Sequence, residues 1–413
     1  MHDSRLSARM RYSRLFESTC VGMYLFFLTL WRTLLVIAVS VAAPFERRRS
    51  LKGGLLILLG LPLFLLWQLL HWIGYLADEI FFRAYRRVEV REPLFVIGPP
   101  RTGTTHLHHV LSRDRKRTSF RTWECLFGLS VSARYLILGC MRLHRALGSP
   151  FRRIANRLRG GLFARMEDIH PVRLDDPEED FLALLPVMAC FLLLIPLPSA
   201  RWLLPIARCD SELSRREQQA LMGYYRKAIQ KHLYVFGKSG QGFLSKNASF
   251  PGAVGALLRE FPDAKILATV RDPQSVVPSQ LSSLRPALET CGFETIPPRL
   301  LNDLLALLPY YYMNLKKVAA AFPGQLAFID NAAMRQDLTG TLSDALEELG
   351  LQPSPELLAG MRTSAADTGT KASGHQYTLE EFGLSETVIR SRFAAVYTAY
   401  TFGEAAARPR DKV

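Results

Sequence analysis

Leu94-Phe-Val-Ile-Gly-Pro-Pro-Arg-Thr-Gly-Thr-Thr-His106 opens with four apolar residues and closes on small and hydroxyl side chains. The apolar run reads as a short strand that ends at Gly98. A tight turn holding Gly98 and Gly103 follows, and a helix opens at Thr104 and Thr105. Glycines let the backbone fold around an anion, and a helix N-terminus supplies unpaired N–H donors and a positive dipole end. The spacing is GxxxxG followed by Thr-Thr. A nucleotide triphosphatase loop carries Lys-Ser/Thr at that point, with the lysine on the phosphates and the hydroxyl on Mg²⁺. Here Thr104 takes the lysine position, and Arg101 is the nearby cation. The loop therefore suits a phosphate but lacks a main element of MgATP chemistry. Arg101 is placed to face a transferred group or its bridging oxygen.

Outward from this loop, short apolar strands alternate with helical stretches. Leu94–Ile97, Gly242–Ser245, Lys265–Val270 and Gln325–Ile329 read as strands; Gly255–Phe261, Leu300–Phe322 and Leu338–Leu349 read as helices. This alternation predicts an α/β fold: a P-loop-like three-layer α/β/α sandwich around a parallel sheet. A second anion-handling element lies at Lys265-Ile-Leu-Ala-Thr-Val-Arg-Asp-Pro273, whose strand ends at Arg271, with Ser279 eight residues on. Arginine offers charge-assisted bonds to a phosphate dianion and serine a directed hydroxyl.

The rest of the composition divides sharply. The chain has 413 residues, 52 Lys+Arg against 37 Asp+Glu, and is 49% hydrophobic. So apolar a chain is not disordered, and its length is ample for a large core. Six scattered cysteines without a CxxC pair exclude a secreted disulfide scaffold, show no zinc spacing, and predict a main domain facing the cytoplasm. Val21–Ala43 carries one charge, Arg32, and Gly53–Leu76 carries none; each is long enough to cross a bilayer. Arg32 would cost roughly 2.5–3.5 kcal/mol there. Roughly ten large apolar residues contributing about 0.3–0.6 kcal/mol each come near to balancing it. Residues 1–91 hold seven of the fifteen excess positive charges, in clusters that flank both segments and attract anionic lipid. The expectation is a membrane-spanning hairpin over 1–91 and a catalytic domain over 92–413; helices lying in the interface, or buried in a soluble fold, are the alternatives. A further apolar run, Phe181–Pro198, reads as a buried helix of the main domain, with a membrane-facing lip as the alternative.

Pro100-Arg-Thr-Gly-Thr-Thr105, together with Arg271 and Ser279, resembles the sulfotransferase superfamily that uses 3′-phosphoadenosine 5′-phosphosulfate (PAPS). The likeness covers roughly residues 92–400 and is nearest the bacterial group related to tyrosylprotein sulfotransferases. Its further markers are Thr122-Trp-Glu124, His170-Pro, Asp176-Pro-Glu-Glu-Asp180, Phe243-Leu-Ser-Lys246 and Ser373-Gly-His375. The family's usual Lys-Ser-Pro reads Ser245-Lys246-Asn247 here.

The resemblance implies that Pro100, Arg101, Thr102, Gly103, Thr104 and Thr105 bind the 5′-phosphosulfate, and that Arg271 and Ser279 hold the 3′-phosphate. It implies Glu124 as general base, with His170 as the alternative, and Arg101 and Lys246 at the leaving group. Lys371 and Ser373 would belong to a late loop closing over the nucleotide. Sulfuryl transfer by this scheme needs PAPS, a hydroxyl acceptor and no metal. Membrane attachment inclines the acceptor toward a lipid or surface glycan and makes membrane lipids a partner. Nothing beyond charge suggests nucleic acid. A P-loop kinase or NTPase, and a degenerate membrane-bound protein binding nucleotide or lipid, are the competing expectations.

Overall fold

The computed structural model describes residues 2–146, 179–238, 240–368 and 378–403. Five strands, β1 (Leu94–Ile97), β2 (Arg117–Thr118), β3 (Gly242–Asn247), β4 (Lys265–Val270) and β5 (Leu326–Asp330), form one sheet in the order β2-β3-β1-β4-β5. Every pairing is parallel; Leu94 lies opposite Leu244 on one side and Lys265 on the other. The α/β expectation holds, and the strands fall where the alternation places them. β3 runs two residues further than expected, which brings Lys246 into the strand.

Side-chain alternation sorts the strands onto two cores. Phe95, Ile97, Phe243, Ile266 and Ala268 pack on one side, under α6 (Arg215–Phe236) and α7 (Val254–Glu260). Leu94, Val96, Leu244, Leu267 and Ile329 pack on the other, under α3 (Thr104–Leu111), α11 (Leu338–Glu348) and α12 (Pro355–Thr368). Both faces are therefore covered, as an all-parallel sheet requires. α8 (Pro273–Thr290) follows β4, α9 (Pro298–Ala321) leads into β5, and α10 (Asn331–Gln336) follows it. Aspartates open α8 and α10: Asp272 accepts the Gln274 N–H at 2.9 Å and Asp330 the Ala332 N–H at 2.8 Å.

The run Phe181–Pro198 does not form the single buried helix expected. It is buried, but as two 3₁₀ segments, Asp180–Val187 and Phe191–Leu194. Pro186 and Pro196 lack the N–H that an α-helical ladder needs, and each bars continuation.

The apolar N-terminal segments are helices α1 (His2–Ala42) and α2 (Leu51–Phe81), paired as a hairpin. Leu25 and Val36 of α1 belong to the same core as Phe95 and Ile97 of β1. The turn between the helices is fastened to the sheet domain. Arg49 donates to the carbonyls of Pro196 at 2.7 Å and Cys291 at 2.8 Å, and the Ser50 N–H to Gly292 at 2.7 Å. The far end is fastened as well: Asp78 accepts the N–H groups of Val131 (2.7 Å) and Ser132 (2.8 Å), capping α5 (Val131–Ala146).

Candidate functional site

The loop after β1 is held open by close backbone approach. A Cβ at Gly98 would lie 2.2 Å from Thr269 Oγ1 and 2.4 Å from the Thr269 carbonyl on β4, so only glycine fits. Gly103 adopts φ +97°, and a Cβ there would meet Asn331 Nδ2 at 2.6 Å. Thr102 is buried; its Oγ1 donates to the Pro99 carbonyl at 2.7 Å and accepts from Thr269 Oγ1 at 2.7 Å. Asn331 Nδ2 donates to the Thr102 carbonyl at 2.9 Å. The loop is thus stitched to β4 and to α10, with Thr104 and Thr105 opening α3.

Arg101 sits at φ +68°, a region costly for a residue with a Cβ, on an exposed corner of the loop. Its Nε donates to Ser279 Oγ at 2.9 Å, and its carbonyl accepts from Arg271 Nη1 at 3.2 Å. The two halves of the expected anion site therefore touch. Burial, then the charges of Arg335 and Arg101, hold the Arg271 guanidinium below its ordinary value. Three arginines facing one cleft raise its affinity for an anion.

Arg101, Arg271 and Arg335 line a cavity of about 570 Å³, together with Glu179 and an apolar wall that includes Leu192, Ile195, Leu284, Leu300 and Leu304. Lys246 is buried at the end of β3, with Nζ 3.5 Å from Thr105 Oγ1 and 3.4 Å from Glu179 Oε1. Glu179 is anchored through its neighbour. Asp180 is fully enclosed, takes the Tyr225 hydroxyl, and accepts from Ser245 Oγ at 3.0 Å and Asn247 Nδ2 at 3.3 Å. Burial pushes Asp180 up to about 7. It is neither solvated nor on the cavity wall.

Glu124 lies elsewhere. It has no exposed surface and does not line the cavity. Its Oε1 accepts the Arg121 N–H at 3.2 Å as the closing half of a capping box on α4 (Thr122–Phe127). Its Oε2 accepts from Arg134 Nε at 3.1 Å and His232 Nδ1 at 2.7 Å. Burial alone would raise its pKa; His232, Arg134 and these hydrogen bonds offset that and hold it below the usual carboxylate range. Burial also holds His232 below its ordinary value, and its Nε2 lies 3.0 Å from Thr118 Oγ1. A carboxylate so enclosed and acidic fits a clasp joining α4, α5 and α6 rather than a base in contact with an acceptor. His170, Lys371 and Ser373 lie outside the described residues.

Sequence reasoning missed Arg335 and Asn331, and gave Glu179 only a subsidiary place. Arg335 follows β5 on α10, at the carboxyl end of a strand two places from β1. Ligands of open parallel sheets bind beyond strand carboxyl ends, so that position was the available signal. Among the described residues no three His, Cys, Asp or Glu side chains gather as a metal site.

A strand-loop-helix turn, reinforced from β4 and β5 and beside a cavity lined by three arginines, is the arrangement of a group-transfer α/β enzyme. The sulfotransferase family's sequence profile matches residues 93–355, and the chain belongs to that family. Its fold is similar to that of sulfotransferase STF1 from Mycobacterium tuberculosis H37Rv, at 19% identity and TM-score 0.65, over 88% of this chain and 92% of that one. Sulfotransferase STF9 from Mycobacterium avium aligns at 19% identity and TM-score 0.61, over 81% of this chain and 83% of that one. The 88% matched exceeds the share that residues 92–413 make up, so the likeness of fold enters the N-terminal helices. No curated protein matches the sequence.

Proposed function

We propose that this sulfotransferase takes its sulfuryl group from PAPS and passes it in line to the hydroxyl of an amphiphilic acceptor. One observation carries the reading. Arg101, Arg271 and Arg335 line one cavity with Glu179; Ser279 and Lys246 bond to these lining groups, and much of the remaining wall is apolar. The loop N–H groups and Arg101 would hold the 5′-phosphosulfate, and Arg271, Ser279 and Arg335 the 3′-phosphate.

In the transfer, the acceptor oxygen bonds to sulfur as the sulfur bond to the bridging oxygen breaks. The electron pair of that bond leaves on the phosphate, and the acceptor proton passes to a base. Charge gathers on the leaving phosphate by analogy with phosphoryl transfer. Lys246 and Arg101 are preorganised cations for it. Glu179, on the cavity wall and next to Lys246, is the base that the geometry favours; His170 is the second candidate. Glu124 serves the stability of the clasp joining α4, α5 and α6 and takes no part in the transfer. The apolar wall favours an acceptor with a hydrocarbon body, such as a lipid, and the hairpin attaches the enzyme to a membrane with its catalytic domain toward the cytoplasm.

The test is incubation of the full chain with [³⁵S]PAPS and a membrane extract. A labelled, solvent-extractable product is expected. Hydrolysis of MgATP with no use of PAPS would establish the kinase or NTPase alternative, and absence of any labelled product from every cell fraction would remove the donor assignment.

A further inference from the structure

The hairpin inverts the usual arrangement of an amphipathic helix. On α1 the buried positions Leu25, Thr29, Arg32, Val36 and Ser40 recur every three or four residues and form one stripe, and most of that stripe is polar. Arg32 pairs with Glu217 of α6, and Thr29 Oγ1 reaches the carbonyls of Leu25 and Val187. On α2, Gln68, His71 and Asp78 face inward in the same way, with Gln68 Nε2 donating to the Pro186 carbonyl at 3.0 Å. The outward side is apolar: Phe27 is 60% exposed, Trp31 59%, Leu59 73% and Leu63 71%. A soluble surface does not carry so continuous an apolar face; such faces mark a membrane or a partner.

We infer that the hairpin lies along one leaflet of an anionic membrane as an in-plane anchor, and does not cross it. The membrane attachment proposed above is its premise. Both ends of the hairpin are fastened to the same sheet domain, the turn through Arg49 and Ser50, the far end through Asp78. A spanning hairpin would put those ends on opposite sides of the bilayer. At mid-length the Arg32–Glu217 pair would draw α6, with its exposed Arg215 and Arg216, into hydrocarbon. The outward face alone is free to meet lipid. Charge supports the same occupant. Arg47, Arg48 and Lys52 are exposed beside the turn and Arg83 and Arg87 beyond the far end, where head groups would flank an immersed apolar side. α5 extends this surface: Leu136 is 69% exposed, and Tyr135 packs against Phe82 with ring centres 5.5 Å apart. The turn adjoins the cavity wall too, because Pro196 follows Ile195 and Cys291 follows α8. A lipid acceptor would then enter from the leaflet beside the turn.

Single cysteines placed by Arg48→Cys and Arg87→Cys in the full chain, with exposed Cys140 replaced by Ser, are labelled with a membrane-impermeant maleimide. The protein is bound to sealed phosphatidylcholine–phosphatidylglycerol vesicles. Both positions are expected to react from the side that bears the catalytic domain. Labelling from opposite sides overturns the in-plane geometry and leaves membrane attachment standing. In flotation, Leu59→Glu with Leu63→Glu is expected to lower vesicle binding at least tenfold while transfer to a soluble acceptor is unchanged. Wild-type protein that fails to float and elutes as a dimer overturns the membrane premise, with a second copy covering the apolar face.

Discussion

Glu124 and Glu179 each stand beside basic side chains, yet only Glu179 opens onto the cavity. Glu124 is enclosed, with two side-chain donors and a backbone N–H on its oxygens. Glu179 keeps some exposure and is held through Asp180 on the adjoining position. Pairing with a cation is common to both; access to an acceptor is what separates them. A charged pair marks a catalytic group only where a reactant can reach it.

The largest effect expected is on Glu179. Glu179→Gln should lower kcat about 10²–10⁴-fold with melting unchanged, measured with PAPS and the labelled acceptor. If activity survives and His170→Ala loses it, the base belongs to His170. Glu124→Ala should reverse the pattern. It strands Arg134 in the interior at a cost of about 3–5 kcal/mol, read in denaturant melts, while kcat per folded molecule stays near wild type. Equal loss of kcat in both variants would erase the distinction. Lys246→Met should reduce kcat roughly 10²–10³-fold. Arg335→Ala should raise KM for PAPS about 10–100-fold and leave kcat less affected, in initial-rate kinetics.

The smallest effect sharpens the Asp180 anchor. Burial keeps its carboxyl protonated up to about 7, whereas an unfolded aspartate releases its proton near about 3.9. Between those values the folded state binds the extra proton, so stability declines as pH rises through the window and levels off above it. Asp180→Asn should flatten that decline in melting temperature between pH 5 and 8.

The sheet and the phosphate loop were legible because they depend on local pattern: apolar strands, two glycines and an arginine in register. The nearness of Arg271 and Ser279 to the loop could be read from a fixed eight-residue interval that spans the β4–α8 corner. The enclosure of Glu124 was not legible, for a related reason. Its distance from Arg101 is compatible with the family's base, but distance along a chain does not tell which side of α4 a side chain takes. Its place at the third helical position after Arg121 was the sign of a cap. Asp180 follows two glutamates in the sequence, and only the meeting of β3 with α6 encloses it. The hairpin's composition suggested spanning helices. The three- and eight-residue intervals between Thr29, Arg32 and Ser40, which put them on one helix face, already gave it a polar side, but not what that side would meet.

Arg101 carries a consequence beyond its own charge. It holds Ser279 through its side chain and receives Arg271 through its carbonyl, so loop and β4–α8 corner form one closed circuit. With the donor proposed above, two anion sites joined in this way would keep a fixed separation and act as a caliper. A nucleotide would then be gauged by the span between its two charged ends, and one that lacks either end would fill a single jaw.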